Sequence, residues 1–571
     1  MPNHLAHRLA VARGDEPADI VLAGGRVLSV FTGEVLEADV AIAGSHVAGV
    51  GPGYDAVERV DVSDLILLPG FVEGHMHLES TKLTIDQFAR VALPWGTTTV
   101  VLDPHEVANV FGIDGVRAML RSADEVPLDV FVMVSSCVPA SPFESNGATV
   151  TADDISAFLA EESNAIGLAE MMDFPAVVAG EDDVLAKLAA VGDRHVDGHA
   201  PGLSGHALNA YLAAGVMSDH ECTTYAEALE KRRLGMWIMI REGSAARNLE
   251  AILPMVLEHG PANCLLCTDD LEPDHLLEQG HVNDVIRKAV ALGCPPSDAV
   301  VMGSLNAARY HRLPERGAVA PGYLADVVAV PDLVSFRPAR VWKHGRLVAE
   351  GGGPVELPVS GLPDWMRGSV HVRELAPEDF AIVANGRVRV IGVDPRQIVT
   401  RALVEDPPVR GGRALADPQG GLAKVAVIER HRNTGRIGLG FVRGFGTRRG
   451  ALATSLAHDA HNLVVVGVDD ADMAAAANRL RETGGGQVAI AEGTIVAEVP
   501  CPFGGLLSDL PVEEVAARTK AVERAAEELG TTLPSPFSAM SFLALSVVPE
   551  LKLTDRGLVD VNTFELVPLE V

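Results

Sequence analysis

The chain is predicted to be an α/β protein: a (β/α)8 barrel, a β-sandwich domain built from segments on both sides of it, and a C-terminal α/β domain. Three observations carry this expectation. Eight short apolar runs recur about 20 to 40 residues apart between positions 69 and 315, with helical stretches between them. Strand-like segments with period-two alternation precede and follow that stretch. Beyond a Gly- and Pro-rich segment at 350–363, apolar strand and helix patterns resume.

Composition bounds what such a chain can do. Its 571 residues carry 46 basic and 77 acidic side chains, a formal charge of −31. That field repels a phosphate backbone, and 4% aromatic content offers little base-stacking surface, so no nucleic-acid partner is expected. The 48% hydrophobic and 22% charged composition is that of an ordinary globular protein, long enough to bury a core without staples. Six cysteines are too few for a disulfide scaffold of this size. Cys264 and Cys267 form a CxxC inside an apolar run with no second pair nearby, which reads as buried strand or loop cysteines, not a zinc knuckle. The N-terminus lacks an uninterrupted apolar segment and no stretch approaches the roughly 18 residues of a membrane helix. A cytoplasmic protein without membrane partners is expected.

The elements follow in order. Segments 19–23, 26–30 and 38–42 alternate as short strands, and the same texture returns at 324–330 and 340–348. They define a composite β-sandwich domain, 1–68 and 316–365. Between them, the apolar runs 70–74, 98–103, 129–134, 165–169, 196–199, 215–218, 236–240 and 264–268 are the eight barrel strands of a catalytic domain, 69–315. The C-terminal α/β domain, 370–571, has a strong strand at 463–468 and helices at 470–482 and 512–529. A barrel makes a sharp demand: polar residues at the strand ends should converge on one face.

Those ends carry a coherent set. His75 and His77 follow the first run at i, i+2, the spacing that puts two side chains on one face of a strand. Glu170 ends the fourth, His199 the fifth, His220 the sixth and Asp269 the eighth. Each alone is as readily a solvated or hydrogen-bonded side chain. Together, four imidazoles and two carboxylates can hold two divalent ions with one carboxylate between them.

Residues 69–77, Pro-Gly-Phe-Val-Glu-Gly-His-Met-His, resemble the opening metal motif of the amidohydrolase superfamily, and the flanking strand segments, including 321–326, resemble its composite sandwich. Further segments narrow the resemblance to the bacterial adenine deaminase family: 75–80, 103–110 (Asp-Pro-His-Glu-Val-Ala-Asn-Val), 197–203 (Asp-Gly-His-Ala-Pro-Gly-Leu), 218–221, 267–270, 455–462 and 504–509. The resemblance covers nearly the whole chain. Ureases, hydantoinases and many dihydroorotases bridge their metals with a carboxylated lysine at the fourth strand; 167–172 contains Glu170 and no lysine.

The resemblance implies hydrolytic deamination of free adenine to hypoxanthine and ammonia, with manganese or iron(II) as the metal; spacing alone admits zinc equally. Two ions would lower the pKa of a water molecule between them. Asp269 is expected to be both ligand and proton acceptor, Glu106 and His105 the proton shuttle, and Asp103 and Asp270 hydrogen-bonding groups for substrate or ligands. The partners implied are a small molecule and water, and the protein is expected to be a homo-oligomer. His458 and His461 form a cluster that either binds metal, reaches the active site or stabilises a turn. Arg241 and Glu242 read as an internal ion pair, and the acidic runs at 161–162 and 181–183 as solvated faces. Hydrolysis of a cyclic amide or an imidazolone would use the same site chemistry, and ammonia release without ring opening separates the two. A catalytically silent scaffold is disfavoured by the presence of all six ligand candidates.

Overall fold

Eight parallel strands ring the middle of the chain in the computed structural model, which describes residues 2–244, 246–384, 386–395 and 399–571. They are β1 (Phe71–His77), β2 (Thr97–Leu102), β3 (Asp129–Val134), β4 (Ala165–Met171), β5 (His195–Gly198), β6 (Ser218–Asp219), β7 (Trp237–Arg241) and β8 (Cys264–Cys267). Strands β1 to β5 pair in sequence order, as do β6 to β8. Two small contacts close the ring. Val196 at β5 bridges Val216 just before β6, and Asp269 and Asp270, just past β8, pair with Met76 and His77 of β1. The barrel expectation is met.

Why these runs are strands is plain from their burial. Every residue of β1 and β2 is buried, and β2 reads Thr-Thr-Thr-Val-Val-Leu, the near-continuous β-branched run of a parallel strand covered on both faces. Val72, Val101, Met133, Ala169, Met239 and Leu265 fill the ring together with Ala307, Ala308 and Tyr310. Those last three come from the helix Leu305–Tyr310, which plugs the end where the strands begin, so chemistry is left to the opposite end. At the weak β5–β6 seam, Gly198 is required by close approach: a Cβ there would collide with the Ser218 carbonyl. The cysteines Cys264 and Cys267 lie in β8, and all six cysteines are buried and free.

Two sheets flank the barrel. One has the order His46–Val50, Val40–Ala43, Ala18–Ala23, Ala56–Asp61. The other runs Gly353–Pro354, Arg346–Glu350, Arg340–Lys343, Val327–Val330, Ile66–Pro69, Arg26–Leu28, Val35–Glu37. Its central pair, Ile66–Pro69 with Val327–Val330, joins segments from either side of the barrel. The segment expected as one strand at 340–348 is a hairpin, because His344 and Gly345 both adopt positive φ in a two-residue turn. An N-terminal helix, Pro2–Arg13, was not expected.

The C-terminal region builds an eight-stranded sheet in the order Thr400–Glu405, Val388–Val393, Ile437–Arg443, Leu422–Ile428, Leu463–Gly467, Ala451–Thr454, Gly486–Ala491, Thr494–Pro500. Helices Asp470–Thr483, Val512–Glu528 and Pro536–Leu543 accompany it. One buried apolar cluster is continuous from Leu102 and Val107 of the barrel to Phe503, Leu507 and Phe537. Shared burial therefore seats the C-terminal region on the barrel.

A half-buried charge cluster ties β3 to the seven-stranded sheet. Asp129 accepts from Arg316 Nη2 at 2.7 Å and Lys343 Nζ at 2.8 Å, and His344 lies 3.4 Å away. Burial alone would raise the Asp129 carboxyl; His344, Lys343 and Arg316 outweigh it and hold the group well below the usual range. Its stabilisation is therefore present above the unfolded carboxyl's pKa of about 3.9 and is lost as pH falls toward the folded value. Asp129→Asn is expected to cost about 2–4 kcal/mol at neutral pH. Urea unfolding of both proteins between pH 3 and 7 checks this: the gap should shrink below about pH 4, and a pH-independent gap would contradict it.

Candidate metal centre

β1 delivers His75 and His77 to the open end of the barrel, their rings 5.1 Å apart and nearly perpendicular. Both lie within the strand rather than beyond it. His77 fixes its tautomer by donating Nδ1–H to the Asp103 carbonyl at 2.9 Å, so Nε2 faces inward with its lone pair. His75 stacks on His220, ring centroids 4.3 Å apart, and its Nε2 is buried without a hydrogen-bond partner.

Glu170, at the end of β4, stands between two sets of imidazoles. One oxygen lies 3.5 Å from His77 Nε2 and 3.5 Å from His105 Nδ1. The other lies 2.7 Å from His199 Nδ1 and 3.1 Å from His220 Nε2. Asp269 faces the remaining side, its Oδ1 3.1 Å from His77 Nε2 and 3.4 Å from His75 Nε2. All six ligand candidates thus converge at one end of the barrel.

The spacing has a chemical meaning. Two atoms bonded to one ion at about 2.0–2.2 Å stand roughly 3–4 Å apart, longer than a good hydrogen bond and shorter than apolar contact. Most of the contacts above fall in that window. His75, His220 and Asp269 form one group of convergent donor atoms, and Glu170, His199 and His220 another. Burial would raise both carboxyls, yet His199 and His220 hold Glu170 well below its ordinary range, and Arg241, then His75 and His77, do the same for Asp269. Buried anionic oxygens, inward-facing imidazole nitrogens and an unpartnered His75 Nε2 are the donor set of a divalent-metal centre.

Supporting residues orient the set. Arg241, from β7, donates to Asp269 Oδ2 at 2.7 Å and is ion-paired with Glu221. The sequence suggested an internal ion pair with Glu242; that residue instead meets Lys288 at 3.2 Å. Glu221, directly after His220, is the partner the sequence reading missed. Asp269 itself adopts φ +60°, a conformation costing roughly 1–3 kcal/mol for a non-glycine residue, which Arg241 and the pairing with β1 hold in place. Asp219 accepts from Lys231 at 2.9 Å and from the Ala200 N–H at 2.8 Å, fixing the loop that carries His199.

A cavity of about 670 Å3 adjoins the cluster. Glu106, Ser80 and Asp270 line it from the barrel, and His458, Ser541 and Phe542 from the C-terminal region. Ser80 Oγ hydrogen-bonds to Asp270 and lies 3.4 Å from Glu106. His105 and Asp103 do not line it. Asp103 Oδ2 accepts from the Glu170 N–H at 3.3 Å, whereas its Oδ1, 3.4 Å from His105 Nδ1, has no hydrogen-bond partner; of the two places the sequence allowed it, beside the ligands or against substrate, these contacts are with the ligands. No helix among the described residues is long and apolar enough to cross a membrane.

Comparison with known proteins follows the same lines. Residues 66–348 match the amidohydrolase family model, and residues 397–565 match that of the adenine deaminase C-terminal domain. A curated adenine deaminase of Desulfatibacillum aliphaticivorans is 47% identical, covering 98% of this chain and 99% of its own. Those of Oleidesulfovibrio alaskensis and Cereibacter sphaeroides are 45% and 46% identical, with all of each chain covered.

If Glu170 joins the two sets of imidazoles through a metal, Glu170→Gln should weaken metal affinity by at least about 10–100-fold. Elemental analysis after dialysis reads this directly, and full occupancy in the variant would remove Glu170 from the ligand set.

Proposed function

The chain belongs to the adenine deaminase family of amidohydrolases, and from that premise we propose how its residues carry out the hydrolysis of adenine to hypoxanthine and ammonia. The observation that carries the reading is the convergence of His75, His77, Glu170, His199, His220 and Asp269 beside a cavity lined by Glu106 and Asp270. Those six would hold two divalent ions; manganese or iron(II) is the reading the family supports, and zinc suits the same donors. Bound ions supply the Lewis acidity that lowers the pKa of water toward neutrality.

The chain's own groups then manage the protons. Asp269, held by a hydrogen bond from Arg241, accepts a proton from water as the water oxygen bonds to C6 of adenine. Glu106 donates a proton to the ring nitrogen beside C6, so that the dearomatised ring carries no excess charge. Burial raises the Glu106 carboxyl, and that favours the protonated form such a donor needs. On collapse, Asp269 returns its proton to the amino group, ammonia leaves, and Glu106 recovers a proton from the C6 hydroxyl as the carbonyl forms. One water is consumed and one ammonia released.

Glu106 is preferred to His105 as the shuttle because it lines the cavity. His105 and Asp103 act as positioning residues behind Glu170. Asp270 and Ser80 offer hydrogen bonds to the purine edge. Further parts of the reading are a free-base substrate, consistent with the −31 charge, a homo-oligomeric assembly, a cytoplasmic setting, and a catalytic barrel domain at 69–315 between sandwich segments 1–68 and 316–365, followed by the C-terminal domain at 370–571.

Turnover in 18O-labelled water tests the reaction: hypoxanthine should carry the label at its carbonyl, with one ammonia per adenine, and unlabelled product would contradict hydrolysis at C6. Asp269→Asn and Glu106→Gln should each lower kcat by about 10²–10⁴-fold. Glu106→Gln should do so at unchanged metal content, and near-wild-type turnover in either variant would overturn its role.

A further inference from the structure

The spacing that marks the metal centre recurs one imidazole further out. His105 Nε2 lies 3.7 Å from Asp459 Oδ1, and His458 Nδ1 lies 3.6 Å from the same oxygen. These three residues form a group of convergent donors in their own right. His105 and Asp459 are 4% and 2% exposed, and His105 Nε2 and Asp459 Oδ2 have no hydrogen-bond partner.

The contacts of His105 are hard to satisfy with protein alone. Its Nδ1 stands 3.4 Å from Asp103 Oδ1 and 3.5 Å from Glu170 Oε1 without a hydrogen bond to either. Its Nε2 faces Asp459 across 3.7 Å, again without a hydrogen bond, and buried polar groups left unpaired in a dry seam are costly. A further buried carboxylate, Glu144, is close enough to Asp459 to add to that cost, and one of its own oxygens is unpartnered. A cation among these atoms removes it.

We propose that His105 Nε2, His458 Nδ1 and the Asp459 carboxylate form a second divalent-cation site, distinct from the cluster around Glu170, at the seam between barrel and C-terminal region. Two imidazoles and one carboxylate select a transition ion of the manganese, iron(II) or zinc class over magnesium or calcium. The ligands come from both sides of the seam. His105 opens the helix His105–Phe111 after β2, whereas His458 and Asp459 lie in the loop after the strand Ala451–Thr454. An ion there would clamp that loop, whose His458 ring stacks on Phe542 at 5.3 Å, against the rim of the cavity. The site stands on geometry alone and does not depend on the identity of the substrate.

The probe is Mn2+ with the full chain. Protein saturated with Mn2+ and dialysed is crystallised, and anomalous difference density is measured at the manganese edge. A peak about 2.0–2.3 Å from His105 Nε2, His458 Nδ1 and Asp459 is expected, in addition to density among His75, His77, Glu170, His199, His220 and Asp269. Density confined to the latter cluster would overturn the proposal. Elemental analysis gives a second reading: Asp459→Asn and His458→Gln should each bind one manganese fewer per chain than the wild type, and equal content would overturn it. If a variant does not fold, the wild-type map still decides. Neither measurement uses adenine turnover, so failure here and failure of the deaminase reading are separately visible.

Discussion

The structure is organised around the cost of burying two carboxylates. Glu170 and Asp269 lie at the mouth of a barrel with almost no access to water, where an unpaired carboxylate costs several kcal/mol. Four imidazoles surround them, and three have contacts of their own that fix them: the Asp103 carbonyl for His77, the His220 ring for His75, the Asp219-anchored loop for His199. The demand propagates outward. Arg241 neutralises part of Asp269 and is itself neutralised by Glu221. The short pairing of Asp269–Asp270 with β1 closes the barrel and sets a ligand in one stroke.

The same constraint explains the role of the C-terminal region. A barrel end open to solvent would let water screen these charges and weaken every electrostatic interaction there. Helix Pro536–Leu543 and the loop at 455–462 instead cover one side of the cavity, and the shared apolar cluster holds them down. Glu106 is reached from that side: His461 Nε2 lies 3.6 Å from its carboxylate. Side chains of the C-terminal region are therefore part of the cavity wall.

Much of this was legible in the sequence, for a physical reason. Parallel barrel strands are buried on both faces, so they appear as apolar runs that end abruptly in polar residues, and seven of the eight runs begin within two residues of the observed strands. The sixth, 215–218, was displaced because the strand is only Ser218–Asp219, paired with β7 at those two residues and joined to β5 by one bridge. The six convergent residues were visible because each ends a run. Asp103 also ends a run, and chain position alone could not say that its carboxylate turns back toward Glu170. In the C-terminal region one strand and two helices were legible, but not the contact with the barrel. The cluster of His458, Asp459 and His461 reads the same whether it stabilises a turn or packs on a barrel more than 300 residues away, and no periodicity encodes that contact. The eight-stranded sheet was equally obscure, since only Leu463–Gly467 has an unbroken apolar run of valines.

Deamination of adenine should depend on divalent metal held by the cluster around Glu170. The most direct measurement is ammonia release from adenine by manganese-loaded protein, beside protein stripped with a chelator and then reloaded. Release with stoichiometric hypoxanthine is expected, with its loss on chelation and its return on reloading. Release that survives complete metal removal, or bound metal with adenine untouched, would contradict it.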